Sequence, residues 1–311
     1  MINLRKIRYF LAAVDSGSLS AAAAELGISQ PTLSQQLAAL EQHLKQKLLL
    51  RMTTGVMVTE AGRIFYRHAR SIAVQIEHAE AEINSVGEGT GQVSLGLATC
   101  GAASTLALPL LRRMLVAHPA IRLRLNDNFV GTLSEFIMTG RIDLALAYTA
   151  PPMTGVNCRE LFIEELVLVA PASLKIRKGR GATIDLTNLR DMSFALLSPI
   201  HFLRVLIDRA CARAGFGPRV VAEIDSLAAL LEAVSAGLGV TILPRAALGK
   251  SPAGLTIHRL GPEPMEATVS LCTSAHLPIT ASIDLVGALV TGQVEEYLAA
   301  ESWTGVRRFA A

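Results

Sequence analysis

The stretch SLSAAAAELGISQPTLSQQLAALEQHL, residues 18–44, determines how the N-terminal part of the chain folds. It predicts two helices joined by a tight turn. Ser18 and Ser29 are favourable N-caps, and Pro31 fits a first helical turn, where a missing backbone N–H costs nothing. Gly27 suits the left-handed position that ends a helix. The pattern therefore indicates a helical hairpin with well-defined helix starts.

The second of these helices has two different faces. Its leucines recur every three or four residues, which places that face in the core. The opposite face, near the N-terminus, carries uncharged hydrogen-bonding side chains, which helix-turn-helix proteins use to contact base edges in the major groove. An ordinary helical hairpin is the alternative interpretation. The predicted DNA-contacting residues of this segment are Ser18, Ser29, Gln30, Pro31, Thr32, Ser34 and Gln35.

A β-hairpin is predicted directly after these helices. Apolar residues at 48–52 and 56–58 flank a Thr-Thr-Gly turn, a pattern typical of two short paired strands. Thr59 is the expected N-cap of a following helix that begins at Glu60. The predicted β-hairpin therefore favours a winged helix-turn-helix over an ordinary helical hairpin. The residues expected to contact DNA here are Arg51, Thr53, Thr54 and Arg63.

Composition indicates a folded chain whose charge is unevenly distributed. The 311 residues are 51% hydrophobic and 18% charged, which is typical of globular proteins with more than one domain. The net charge is only +3, but residues 1–70 carry nine Lys and Arg against four Asp and Glu. Residues 71–90 carry four Glu and neither Lys nor Arg. A basic head followed by an acidic segment is consistent with DNA contact at one end.

The sequence lacks the motifs that are typical of several other classes of protein. The four cysteines form no CxxC pair, so we expect reduced thiols and no metal site. No signal peptide and no apolar run of about 18 residues is found, so we expect a cytoplasmic protein without a membrane partner. Nucleophile-elbow, phosphate-loop and dinucleotide motifs are missing, so we expect neither an enzyme nor a cofactor. A solute-binding protein for transport would also require a signal peptide.

A heptad repeat follows the hairpin. Its apolar residues recur in alternating steps of four and three, and this period of 3.5 indicates a helix that packs along a partner helix. The alternative is a single helix docked on its own domain, although the first domain is too small to cover about 33 Å of helix. A dimer would place two recognition helices on a two-fold DNA site. The predicted dimerisation residues are Phe65, Ala69, Ile72, Ile76, Ala79, Ile83 and Val86.

This order of elements resembles the LysR-type transcriptional regulators. The resemblance rests on SGSLSAAAAELGISQPTLSQQLAALE and TEAGRIFYRHAR, and extends in length and layout over nearly the whole chain. Within the family, the run ISQPTLSQQLAALE and the glutamine at position 35 are most similar to the nitrogen assimilation control branch. The resemblance implies a winged helix-turn-helix at residues 1–59, a dimerisation linker helix at 60–88 and an effector-binding and oligomerisation domain at 89–311.

The third of these parts is predicted to be α/β. Strands and helices alternate from residue 92 onward, a pattern that gives βαβ units with covered parallel sheets. About 200 residues are many for one sheet, so two lobes are expected. By resemblance, this is a periplasmic-binding-protein-like domain whose lobe 1 comprises about 92–161 and 267–300, and whose lobe 2 comprises about 162–266. The chain would cross between lobes near residues 160–163 and 260–267.

A small metabolite, expected to be anionic, is the predicted ligand between the lobes. Ligands of open α/β sheets bind beyond the carboxyl ends of strands, near helix N-termini. Family members usually carry Ser or Thr at the first of these helices, whereas this chain has Gly101, Ala102 and Ala103. Members of the nitrogen assimilation control branch similarly lack a Ser or Thr at this position and are not expected to need an inducer. The alternative is therefore an inducer-free regulator that is controlled by its own abundance. The predicted effector residues are Thr99, Cys100, Ala102, Ala103, Thr132, Tyr148, Ser198, Ile200 and Ser226.

These expectations define a sequence-specific regulator of transcription. Its implied partners are double-stranded DNA and copies of itself, arranged by resemblance as a dimer of dimers. RNA polymerase is a further expected partner.

Overall fold

The computed structural model describes residues 2–52, 55–84, 91–126, 133–149, 153–176, 183–249 and 253–309. Its N-terminal unit, which we call the head, consists of helices, one hairpin and the beginning of a long helix. In chain order the elements are α1 (Leu4–Ser16), α2 (Leu19–Glu25), α3 (Gln30–Leu44), β1 (Leu49–Met52), β2 (Gly55–Val58) and α4 (Glu60–Asn84).

The helices of the head begin at the capping residues that the sequence predicts. The hydroxyls of Ser18, Ser29 and Thr59 each accept a hydrogen bond from the backbone N–H three residues further along the chain. Each bond satisfies a donor that the first helical turn leaves without an intrahelical partner. Pro31 lies in the first turn of α3. The predicted helix-turn-helix is confirmed.

The first half of α4 belongs to the core of the head. The leucines along one face of α3 are buried there, as their spacing predicts. The Phe65 ring packs edge-on against Phe10 with 5.0 Å between ring centroids. Ala69, one turn later, is 1% exposed in the same core. The head therefore uses its own linker helix to complete a core that the smaller elements could not close alone.

Glu41 fixes the hairpin to α3. One carboxylate oxygen accepts hydrogen bonds from the backbone N–H groups of Leu48 and Leu49, at 2.9 and 3.1 Å. The other oxygen lies 2.7 Å from the Lys47 ammonium. Although burial raises the pKa of this carboxyl, the bonds from Lys47 and from the two backbone groups bring it below its usual value. The position of the hairpin thus depends on an ionised side chain of α3.

The rest of the chain is α/β. Its strands are β3 (Gly91–Leu97), β4 (Ile121–Asn126), β5 (Leu144–Thr149), β6 (Val156–Pro171), β7 (Ile184–Asp185), β8 (Ser193–Leu196), β9 (Arg219–Glu223), β10 (Thr241–Pro244), β11 (Leu255–Gly261), β12 (Met265–Ser274) and β13 (Val306–Arg308). Its α-helices are α5 (Ala102–Thr105), α6 (Ala107–Ala117), α7 (Leu133–Met138), α8 (Phe202–Arg213), α9 (Leu227–Ser235) and α10 (Ala281–Ala299).

Parallel pairing, which the alternation predicts throughout, is found in only part of the sheets. β3 lies parallel between β4 and β5, and β8 is parallel to β9. In contrast, β6 pairs antiparallel with β10, β11, β12 and β13. The reason is topological. β6 leads the chain from one lobe into the other and β12 returns it alongside, so the two strands must run in opposite directions.

Two hydrophobic cores lie along β6. Residues 161–162 belong to a core built with β3, β5 and α10, the lobe 1 core. Residues 166–170 belong to a core built with β8, α8 and α9, the lobe 2 core. β12 makes the same change between Ala267 and Val269. We call the region around residues 163–165 the lobe boundary, because one continuous strand joins the two cores there.

A second face of α4 contacts lobe 1. Gly140 has φ +69°, and a Cβ at this position would lie 2.4 Å from Cγ1 of Val74 on α4. Only glycine combines this backbone conformation with so close an approach. Val74 is two residues, or about 200° of helix, from Ile72 and Ile76 of the heptad repeat. α4 therefore presents lobe 1 with the side opposite to its predicted dimer seam.

A polar cluster lies beside this contact and joins three elements. The Tyr66 hydroxyl of α4 donates to Asp15 of α1 at 2.6 Å. The same carboxylate forms ion pairs with Arg70 of α4 and with Arg141, which follows α7. Head, linker helix and lobe 1 are therefore connected by side chains as well as by the chain itself.

Two cysteines that are far apart in sequence lie side by side. Cys158 on β6 is paired with Cys272 on β12, and their Sγ atoms are 3.2 Å apart. All four cysteines are free thiols. Their sequence spacing gives no sign of this neighbourhood, because it depends on the register of two strands. Separately, within the described residues no helix is both long enough and apolar enough to cross a membrane.

Candidate functional site

The predicted DNA-contacting side chains lie at the exposed start of α3. Gln30 and Gln35 are exposed, and Ser34 is half-buried. The Ser29 and Thr32 hydroxyls are hydrogen-bonded to each other at 2.7 Å, so they are engaged at the helix cap. The amides of Gln30 and Gln35 are therefore exposed polar groups at this end of α3, while Gln36 is half-buried.

The two basic residues predicted to contact DNA near the hairpin lie on different elements. Arg51 lies on β1 opposite Val56. Arg63 is exposed on α4 and pairs with Glu60 at 2.6 Å, so a phosphate would have to compete with this ion pair. Thr53 and Thr54, the predicted contacts at the hairpin tip, lie outside the described residues.

The predicted dimer seam of α4 is shorter than the heptad repeat indicates. Ala69 is buried in the core of the head, which corrects its assignment to a dimer contact. Phe65 packs against the same core but stays half-buried. An apolar repeat does not show which surface covers each of its residues. Val86 lies outside the described residues. The seam residues left exposed or half-buried are Phe65, Ile72, Ile76, Ala79 and Ile83, the last with 72% exposure.

The most unusual side chain of the lobe boundary is Glu164 of β6. It is 0% exposed. One carboxylate oxygen accepts the backbone N–H of Ala102 at 2.7 Å, and the other accepts the Tyr148 hydroxyl at 2.8 Å. The described residues place no Lys, Arg or His against this carboxylate. A charge in such a position is costly unless several donors satisfy it.

Burial changes the acidity of both groups. It raises the pKa of Glu164 to about 7, although the bonds from Tyr148 and Ala102 act in the opposite direction. Burial, followed by the nearby Glu164 charge, raises the pKa of Tyr148 well above its usual value. Tyr148 therefore remains a neutral donor, and Glu164 changes its charge near neutral pH.

The backbone beside Ala102 is shaped to admit this carboxylate. Cys100 is buried and has φ +62°, a conformation that non-glycine residues rarely adopt. A Cβ at Gly101 would lie 2.0 Å from the Tyr148 hydroxyl oxygen and 2.7 Å from a Glu164 oxygen. The contact of Glu164 with Tyr148 and Ala102 therefore requires that residue 101 has no side chain. In the sequence, the same glycine stands out as the lack of a polar anchor. The predicted residues Thr99 and Ala103 flank this turn.

Ser198, one of the predicted ligand-binding residues of lobe 2, is also bonded to a carboxylate of the chain. Both the N–H and the hydroxyl of Ser198 donate to the Asp225 carboxylate, at 2.8 and 3.1 Å. His201 lies 3.2 Å from the same group. The Ser198 backbone bond is the largest influence that lowers the pKa of Asp225. Of the other predicted residues, Ser226 caps α9, Ile200 is 69% exposed and Thr132 lies outside the described residues.

Tyr148 connects the two lobes. Its ring packs against both hydrophobic cores. It also stacks on Phe202 of α8, with 5.9 Å between centroids and 10° between planes. Sequence reasoning selected Tyr148, Ser198 and Cys100 and placed the turn that begins at Asp225 at the site, but it missed Glu164 and Phe202. The available signal for Glu164 was a carboxylate within the apolar strand run LFIEELVLVA.

The head and the two-lobed part define a DNA-binding regulator with an effector domain, and comparison with known proteins agrees. Residues 4–63 match the model for bacterial regulatory helix-turn-helix proteins of the lysR family. Residues 87–294 match the model for the LysR substrate binding domain. The chain belongs to the LysR family of transcriptional regulators.

Two curated relatives share most of their length with this chain. The nitrogen assimilation regulatory protein nac of Escherichia coli (strain K12) is 38% identical over 247 residues, which are 79% of this chain and 79% of that protein. The protein of the same name from Klebsiella aerogenes is 36% identical over 278 residues, 88% of this chain and 89% of that protein.

Solved structures of full-length relatives share the fold. An OxyR variant from Pseudomonas aeruginosa superposes with a TM-score of 0.67 at 22% identity, covering 95% of each chain. CbnR in complex with its target DNA superposes with a TM-score of 0.62 at 23% identity, covering 94% of this chain and all of that chain. At 22–23% identity, these superpositions show that the fold is shared and no more.

The raised pKa of Glu164 predicts a pH-dependent stability. A carboxyl whose pKa is raised by folding stabilises the protein fully below its unfolded pKa of about 4.5, and this contribution is lost as pH rises through about 7. Glu164→Gln should therefore gain stability relative to wild type by roughly 3 kcal/mol between about pH 5 and about pH 8. Denaturant unfolding at several pH values measures this difference.

The matched control is Glu160→Gln, the same substitution on an exposed residue of the same strand. Its stability should follow the wild-type pH dependence. A Glu164→Gln protein whose pH profile coincided with that of wild type would show that this carboxyl is not buried in the native protein.

Proposed function

We propose that this chain regulates transcription as a dimer that inserts the starts of two α3 helices into successive major grooves of a two-fold DNA site. The exposed Gln30 and Gln35 amides on a buried, capped helix are the observation that carries the proposal. Glutamine can bond adenine through a donor and an acceptor at once, which gives base discrimination. Arg51, Arg63 and the hairpin tip residues Thr53 and Thr54 would contact the backbone and set the register.

The dimer would form along the exposed half of α4. Ile72, Ile76, Ala79 and Ile83 continue the heptad beyond the head core, and an apolar face of this kind packs against a second helix. Val74, on the opposite side, is already covered by Gly140 of lobe 1. In this arrangement α4 lies between its partner and its own effector domain. A second dimer contact through the effector domains would give the dimer of dimers.

The relatives named for nitrogen assimilation suggest the regulated genes. We propose that the chain acts in the cytoplasm on genes of nitrogen or carbon assimilation, together with RNA polymerase. Two modes of control are open to it. A small anionic metabolite could bind between the lobes, or the chain could act without an inducer and be controlled by its own abundance.

The geometry of the lobe boundary favours the second mode. The N–H of Ala102 and the two donors of Ser198 are the groups that an anionic effector would use. The first is bonded to Glu164 and the others to Asp225. A metabolite would therefore have to displace side-chain carboxylates of the protein itself, which lowers its net gain on binding.

Base recognition is tested by replacing Gln35. Gln35→Ala should weaken binding to the cognate site by about 1–3 kcal/mol and relax the preference at one base pair. Gln42→Ala is the matched control, because this glutamine is exposed on the same helix about 10 Å further along the axis. Selection of bound sequences from a random DNA pool measures both effects. An unchanged sequence profile for Gln35→Ala would contradict the assignment of this helix face.

The seam is tested by introducing charge. Ile76→Asp combined with Ile83→Asp places two carboxylates in the proposed contact, at a cost of several kcal/mol. Sedimentation should show loss of the dimer. Glu77→Lys, which alters charge on an exposed residue outside the heptad positions, should leave the assembly intact. A double variant that remained dimeric and bound DNA as wild type does would rule out this seam.

A further inference from the structure

The buried carboxylate of Glu164 requires an explanation beyond packing. A strand residue at this position could be apolar, as its neighbours Phe162 and Leu166 on the same face of β6 are. Instead the chain buries a carboxylate and supplies it with one N–H and one O–H, each within 2.8 Å. Two convergent donors of this kind, at a boundary between lobes, are what a small external carboxylate would need.

The donors come from elements that are separate in sequence. Ala102 begins α5, Tyr148 is the penultimate residue of β5 and Glu164 lies on the strand that joins the lobes. Because Tyr148 also stacks on Phe202 of lobe 2, the hydroxyl that bonds Glu164 is held by both lobes. The carboxylate therefore closes a contact that spans the lobe boundary. Among the described residues, Tyr148 is the titratable group that bonds this carboxylate, and Cys100 lies near Tyr148.

Asp225 gives an independent parallel on the opposite side of the boundary. Its carboxylate accepts two bonds from Ser198 and one contact from His201, at the carboxyl end of β8. Two separate places where an anion could be held are thus each filled by a carboxylate of this chain. An internal ligand acts at a high effective concentration, since no translational freedom is lost when it binds.

We propose that Glu164 is a built-in carboxylate ligand that holds the lobes in the arrangement described here without any metabolite. The proposal rests on the proposed regulatory function and explains its inducer-free mode. A ligand shifts an equilibrium between lobe arrangements only by its preference for one of them. A covalently attached ligand makes that preference permanent. Removing the Glu164 side chain should leave a site for a small monocarboxylate such as acetate.

Chemical rescue tests this directly on the full-length protein. Glu164→Ala should show a lower unfolding midpoint than wild type and an altered DNase footprint on the operator. Acetate should raise the midpoint of Glu164→Ala and restore the footprint, with a saturable dose dependence. Chloride at matched ionic strength should do neither. Wild type and Glu160→Ala, an exposed control on the same strand, should not respond to acetate.

Glu164→Gln is the control variant of equal size for Glu164→Ala. Its amide fills the same space, so it should fold, bind the operator and show no acetate response. Should Glu164→Ala be insoluble, acetate present during refolding should recover it where chloride does not. The proposal is overturned if Glu164→Ala behaves as wild type without acetate. It is equally overturned if chloride rescues as well as acetate, or if Glu164→Gln responds to acetate.

The two assays separate this inference from the proposed function. Failure of wild type to bind any operator would contradict the proposed DNA recognition, while acetate-dependent unfolding midpoints would still report on Glu164. Normal operator binding with no rescue would instead remove only the internal-ligand proposal.

Discussion

A carboxylate buried on a strand that both lobes share is the constraint on which the effector domain depends. β6 passes through both cores, so the groups at its midpoint must be satisfied by whichever elements meet there. Glu164 is satisfied by the backbone of Ala102 and by a tyrosine that also stacks on lobe 2. Because an unsatisfied carboxylate in this place would be costly, the carboxylate and its donors fix the relative position of the lobes.

The linker helix contacts both the head and the effector domain. One side of α4 completes the head core, and the side bearing Val74 packs against Gly140 of lobe 1. Its remaining heptad face is open to a partner. Asp15, Tyr66 and Arg141 tie the same three parts together through polar contacts. A change in lobe arrangement would therefore reach the head through α4 and through the ion pair between Arg141 and Asp15.

Local signals in the sequence were sufficient for the head. The caps at Ser18, Ser29 and Thr59 act within one turn of helix, so residue type alone specifies them. The bond between Glu164 and Ala102 and the contact between Cys158 and Cys272 join residues more than 60 positions apart, and the cysteine contact depends on strand register. The heptad prediction was wrong at Ala69 because an apolar stripe does not reveal which surface covers it. Contacts between residues that are distant in the sequence leave little trace in the residues next to them.

Hydrogen exchange at the Ala102 amide tests the central claim most directly. If Glu164 accepts this N–H in the native protein, the amide should be strongly protected in wild type. In Glu164→Ala it should exchange at least about tenfold faster, since a hydrogen bond to a charged group contributes about 1.5–3 kcal/mol. Glu160→Ala should leave the exchange rate unchanged. An Ala102 amide that exchanged as freely in wild type as in Glu164→Ala would contradict the account.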